Sequence, residues 1–135
     1  MVNESTLRRI FADSKTIAVV GLSKDPSKDA HTVPAYLQAH GYRIIPVNPT
    51  ADMILGEKAY KSLADVKEPY DVVDIFRPSA DVPPIVEEAI RGPAKVVWMQ
   101  VGIENEAAAR KAEAAGKIVV QNACMRTVHQ RLFPR

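Results

Sequence analysis

The chain has 135 residues, enough for one domain of ordinary size (residues 1–135) and too few for a second independent core. Hydrophobic residues make up 47% and charged residues 25%, close to folded soluble domains, which excludes wholesale disorder, collagen-like sequence and coiled coil. Eighteen basic against sixteen acidic residues leave a formal charge of +2, too small for a nucleic-acid or membrane-binding surface, so any anion site is local.

No apolar run approaches the roughly 18 residues of a membrane helix. The first residues carry Glu4 and lack the apolar stretch of a secretory signal, so a cytoplasmic location is expected. The single cysteine, Cys124, cannot form an intramolecular disulfide or hold a structural zinc by itself.

Residues 4–13 read as a short helix covering one edge of a sheet. Residues 16–20 are a β-branched run apolar on both faces, as are 43–47, 71–76, 95–99 and 117–120; such runs suit buried strands of a parallel sheet. Helical spacing appears over 30–40, 80–91 and 104–115, with a short turn near 62–66. Gly41, Gly92 and Gly116 follow the helices as left-handed caps, His40 sits at a helix C-terminus, and Ser62 and Ser79 are N-cap candidates. Strand and helix alternate throughout. The expected fold class is α/β, a three-layer Rossmann-like sandwich of about five parallel strands in the order 3-2-1-4-5. Ligands of such sheets bind beyond the carboxyl ends of the strands, where the order reverses.

Those carboxyl ends supply the candidate site. The first strand runs into Gly21, Leu22, Ser23 and Lys24, with Lys28 just before a helix, whose free N–H groups and dipole favour a phosphate. Only one glycine of the dinucleotide fingerprint is present, so a plain tight turn with solvated lysines is the competing reading. The second strand ends in Val47, Asn48 and Pro49, where an NAD site would place an acid; a rigid ledge for a nucleoside competes with an ordinary loop. The third ends in Phe76, Arg77 and Pro78, and the fourth in Met99, Gln100 and Val101. Phe76 and Trp98 are equally suited to the core, and Arg77 to a phosphate or an exposed ion pair. Lys24, Lys28 and Arg77 converge only if the topology holds.

At these residues the sequence resembles the small CoA-binding proteins that share a fold with the N-terminal domain of the succinyl-CoA synthetase α subunit. The resemblance runs from about Thr16 to Leu132. It rests on the segments VVGLS (19–23), VPAYL (33–37), GYRIIPVNP (41–49), ILGE (54–57), DVVDIFR (71–77) and KVVWMQ (95–100). It implies coenzyme A across the carboxyl edge, with phosphates near Gly21–Lys24, a second contact at Val47–Pro49, a third at Phe76–Pro78, and pantetheine along Met99–Val101. Two departures stand out. Ala30 replaces a common serine, and Asn122-Ala123-Cys124 with Val128-His129 replaces a more highly charged C-terminal segment.

The phosphorylated histidine of the ligase lies in another domain, so the resemblance implies a non-enzymatic module that binds CoA or an acyl-CoA. A small NADP-dependent reductase using the same crevice is the alternative, as is an interaction subunit of an acyl-CoA enzyme; a homodimer is compatible with either. Cys124 reads as a small buried hydrophobe or as a thiol able to form a mixed disulfide with CoA; spacing alone does not pair it with His129.

Overall fold

The computed structural model describes residues 2–134. The β-branched runs form five parallel strands: β1 (Thr16–Val20), β2 (Arg43–Val47), and, after a two-stranded hairpin of β3 (Met53–Ile54) and β4 (Glu57–Lys58), β5 (Val72–Ile75), β6 (Val96–Met99) and β7 (Ile118–Val120). Helices α1 (Glu4–Asp13), α2 (Asp29–Ala39), α3 (Val82–Arg91), α4 (Glu106–Ala114) and α5 (Met125–Leu132) complete the chain.

Alternation along each strand sends neighbouring side chains to opposite faces, and two separate cores result. Ile17, Val19, Ile44, Val72, Val96, Trp98 and Val120 pack beneath α1, α2 and α5. Ala18, Ile45, Val73, Ile75, Val97, Met99 and Val119 pack beneath α3, α4 and a 3₁₀ turn at Leu63–Asp65. The three-layer α/β sandwich is therefore as expected. α1 lies on the first face rather than at an edge: Phe11 stands 5.8 Å from Trp98, ring to ring.

The sheet order is β2-β1-β5-β6-β7, and the reversal falls at β1 as expected. Numbering only these five strands gives 2-1-3-4-5, so one strand, not two, lies beyond β1 on the short side. The outer edge of β2 is already occupied there. Tyr60 donates its N–H to Pro46 O (2.9 Å) and accepts from Asn48 N–H (2.8 Å), and it bridges Val47 in parallel. The backbone groups that would recruit another strand are thus engaged, and the chain crosses back to pair β5 with β1.

The helix ends correct two expectations. Gly41 (φ +96°) and Gly116 (φ +88°) adopt the left-handed conformation, but Gly92 does not (φ −98°). Gly92 is needed for space instead, because the Tyr70 hydroxyl stands where a Cβ would project. Ser79 does not cap α3, which starts after a 3₁₀ turn at Ser79–Asp81; its hydroxyl accepts the Glu104 N–H at 3.0 Å. Two elements go beyond the sequence reading. α5 has only eight residues, most of them polar, and each strand of the β3–β4 hairpin has two, too short for either period to register. His40 behaves as expected at the end of α2, its Nδ1 2.8 Å from Tyr36 O.

Candidate functional site

Gly21 is where three strand ends meet. Its N–H donates to Val47 O at 2.9 Å, and the adjoining Val20 carbonyl accepts the Phe76 N–H at 2.9 Å. Its φ of +91° lies in the region that glycine alone adopts cheaply, and an added Cβ would stand 3.2 Å from both the Phe76 carbonyl oxygen and Arg77 Cδ.

The loop that follows is held by a device the sequence carries in plain view. Pro34 lies inside α2 and has no N–H to offer the Ala30 carbonyl one turn earlier. That carbonyl accepts the Ser23 N–H at 3.0 Å instead, while the Ser23 carbonyl meets His31 Nδ1 at 2.7 Å. A proline unfavourable to the helix thereby ties the first loop to it. Asp25 accepts from the Ser27 N–H (3.0 Å) and hydroxyl (2.7 Å), which holds its carboxyl below the usual range. Lys28 takes the N-cap position of α2 with no side-chain hydrogen bond, so no protein side chain caps that terminus.

Asn48 joins the first loop to the second. Its Nδ2 donates to Leu22 O at 2.9 Å, and its Oδ1 accepts from Thr50 N–H (2.8 Å), Thr50 Oγ1 (3.1 Å) and Ala51 N–H (3.1 Å). An aspartate has no N–H for Leu22. The amide where a dinucleotide fold would place an acid is thus required by the loops themselves.

These elements enclose an open cleft of ≈ 770 Å³ at the carboxyl edge, within the usual range of small-molecule sites. Of the expected residues, Gly21, Leu22, Ser23, Lys28, Val47, Asn48, Pro49, Phe76 and Arg77 line it. Lys24, Pro78, Met99, Gln100 and Val101 do not. Met99 is fully buried and faces the α3–α4 core, so only its backbone lies toward the edge; Gln100 is buried, and Val101 is exposed beyond it. Thr50, Lys61, Asp81 and Glu88 also line the cleft and escape the sequence reading, because isolated polar residues in loops give no signal. Three cations, Lys28, Lys61 and Arg77, face two carboxylates, Asp81 and Glu88. Arg77 pairs with Asp81 at 2.9 Å, but both side chains are nearly half exposed, so the pair yields readily to a stronger anion. A smaller cavity of ≈ 240 Å³ lies at the opposite, amino edge, where Asp71 already accepts the Lys15 and Thr16 N–H groups.

Two further groups stand near the edge. Asp74 is fully buried on the α1–α2–α5 face, between Val19 and Trp98 in register, and neither carboxyl oxygen has a hydrogen-bond partner. Burial, and then the neighbouring Cys124, push its pKa well above the ordinary range. A charge inside an otherwise apolar strand is its visible signal. Cys124 is the N-cap of α5 and is partly buried. Burial raises its pKa, but hydrogen bonds from Thr127, Arg126 N–H and Gln100 outweigh this and lower it. His129 is not its partner: His129 Nδ1 lies 2.7 Å from the Tyr36 hydroxyl, within a ring cluster that includes Phe11, His40 and Phe133.

These features define a Rossmann-like α/β domain with an open cleft at its sheet reversal, where three cations face two carboxylates and Asn48 stands at the end of the second strand. The family model described as "CoA binding domain" matches residues 15–130, and the chain belongs to that family. It is 40% identical over 127 residues to the uncharacterized protein YneT of Bacillus subtilis, covering 94% of each chain. It is 34% identical over 103 residues to the ADP-forming acetate–CoA ligase II of Archaeoglobus fulgidus, covering 74% of this chain but 15% of that enzyme. Among solved structures, cell-free ID.343 from Thermus thermophilus superposes with a TM-score of 0.93 at 41% identity, over 98% of this chain and 100% of that one. Among the described residues no helix is long and apolar enough to cross a membrane.

Proposed function

We propose that the protein binds coenzyme A, as free thiol or acyl thioester, in the carboxyl-edge cleft, as a recognition module without catalysis of its own. The observation that carries this reading is that the family match over residues 15–130 includes every residue lining the cleft.

The residues present fit such a ligand. The uncapped start of α2, Lys28 and Arg77 receive phosphates through charge-assisted hydrogen bonds. The Gly21 turn lets the backbone approach closely, and the loop of Val47, Asn48 and Pro49 offers the nucleoside a rigid surface without selecting a diol. Gln100 and Val101 continue the edge toward the pantetheine end. Lys24, on the exposed part of the first loop, adds charge at longer range. Arg77 exchanges Asp81 for phosphate on binding.

Calorimetric titration with CoA at moderate salt tests the reading. Lys28→Ala and Arg77→Ala are each expected to weaken binding by roughly 1–3 kcal/mol, the scale of a charge-assisted hydrogen bond. Unchanged affinity in both variants removes the cleft from the site, and tighter binding of NADPH than of CoA replaces the ligand class.

A further inference from the structure

The carboxyl edge of the sheet is an ordered row of strand ends. Arg77 follows β5, Gly21 follows β1 and Asn48 follows β2. Tyr60 adds a fourth position: it bridges Val47 in parallel, donates its N–H to Pro46 O at 2.9 Å and accepts the Asn48 N–H at 2.8 Å. Lys61 comes next in the chain and lines the cleft, so it stands beyond β2, across the Asn48 loop from Gly21 and Arg77. Neighbouring strands lie about 4.8 Å apart, and three such spacings put the Lys61 and Arg77 backbones roughly 14 Å from each other.

The cations of the cleft therefore fall into two groups. Lys28 at the start of α2 and Arg77, whose Cδ stands 3.2 Å from where a Cβ on Gly21 would project, flank the first loop. Lys61 is the cation of the second wall, and the other donors there are already engaged. Thr50 gives its N–H (2.8 Å) and its hydroxyl (3.1 Å) to Asn48 Oδ1, the Ala51 N–H goes to the same oxygen at 3.1 Å, and the Ser62 hydroxyl goes to Asp65 at 3.1 Å. Glu68, the carboxylate that meets Tyr60, is taken up by the Tyr60 hydroxyl at 3.2 Å and by Arg43. Among the described residues no carboxylate stands within ion-pair distance of Lys61. A single compact phosphate finds its partners at the first loop; an unpaired cation this far along the same cleft fits a ligand with a second anionic group, spaced from the first by a sugar.

We infer that Lys61 is a specificity-determining residue of the cleft: its ammonium pairs with the phosphomonoester on the 3′ position of the CoA ribose and so separates CoA from its 3′-dephospho form. This rests on the CoA reading of the cleft. CoA carries, in linear order, pantetheine, a diphosphate and a ribose bearing the 3′-phosphate. The edge offers matching partners in the same spatial order: Gln100 after β6, Arg77 and the Gly21 loop after β5 and β1, then the Asn48 loop and Lys61 after β2. A phosphomonoester carries nearly two negative charges at neutral pH, and Lys61 meets it without first losing an ion pair, whereas Arg77 must leave Asp81. NAD has no such group to offer.

Calorimetric titration of the full chain with CoA and with 3′-dephospho-CoA, at the same moderate salt, is the test. The wild type is expected to bind CoA about tenfold or more tighter, the fold-change of one charge-assisted hydrogen bond. Lys61→Gln is expected to bring CoA down to the affinity of 3′-dephospho-CoA while leaving that ligand unchanged, and Lys61→Arg to keep the preference. Arg77→Ala is expected to weaken both ligands by the same factor, because the diphosphate is common to them. Equal affinities in the wild type, a CoA preference that survives Lys61→Gln, or an equal loss for both ligands in that variant overturns the inference. Each of those results leaves the cleft reading standing, since CoA still binds; no binding of either ligand to the wild type sinks the cleft reading itself, and the role of Lys61 with it.

Discussion

Replacing Asp74 with asparagine changes almost nothing in shape and removes one titration, and the consequence for stability follows from the structure. The carboxyl is fully buried with both oxygens unpartnered, and burial followed by Cys124 raises its pKa well above the ordinary value. Between about 3.9, where an unfolded aspartate titrates, and the raised native value, the folded chain keeps a proton that the unfolded chain has released. Stability therefore falls as pH rises through that window, by up to about 1.4 kcal/mol per pH unit. The asparagine side chain is a neutral group of similar desolvation cost and has no such slope. The variant should match the wild type near pH 4 and exceed it increasingly above, by up to about 1.4 kcal/mol for each pH unit below the raised native value. Urea unfolding followed by far-UV circular dichroism at half-unit steps from pH 4 to pH 8 measures the difference directly. A gap that stays constant across that range would refute the claim that Asp74 is held protonated by the fold.

Gly21→Ala should cost about 1–2 kcal/mol for the left-handed backbone alone, with lower CoA affinity because the Phe76 carbonyl must retreat; thermal melts and titration report both. Asn48→Asp loses the donor to Leu22 O and sets two oxygens against each other, so a loss of roughly 1–3 kcal/mol in chemical denaturation is expected, without any gain in NAD affinity. Gly92→Ala pushes a methyl onto the buried Tyr70 hydroxyl and should destabilise by about 1–3 kcal/mol; a simultaneous Tyr70→Phe should recover part of that loss in the same assay. Burial, and then His40, lower the pKa of His129, so the unfolded chain binds more protons just below pH 6.5 and stability is lost as pH falls through that window. Because Asp74 slopes the other way, the loss should be clearest in the Asp74→Asn background and absent when His129→Gln is added.

What the sequence by itself determined is the set of elements whose identity is written in local periodicity. Five β-branched runs, apolar on both faces and alternating with helical segments, suit buried parallel strands, and the helices between them place the strand ends on one edge. Gly21, Lys28, Asn48 and Arg77 are therefore legible from the strand ends alone, and they line one cleft. The rest depended on contacts between residues far apart in the chain. The strand order turned on Tyr60 occupying the free edge of β2, a pairing no local pattern encodes. Pro34 reads as a fault in a helix until its missing N–H is seen to leave the Ala30 carbonyl to Ser23. Asn48 reads as a lost acid until Leu22 appears as its acceptor, 26 residues earlier. Asp74 lies within β5 and Cys124 at the start of α5, 50 residues apart, and only the layering of α5 on the sheet brings a carboxyl without partners near a thiol. Hydrophobic period is a property of neighbours along the chain, whereas the satisfaction of a buried polar group is a property of neighbours in space.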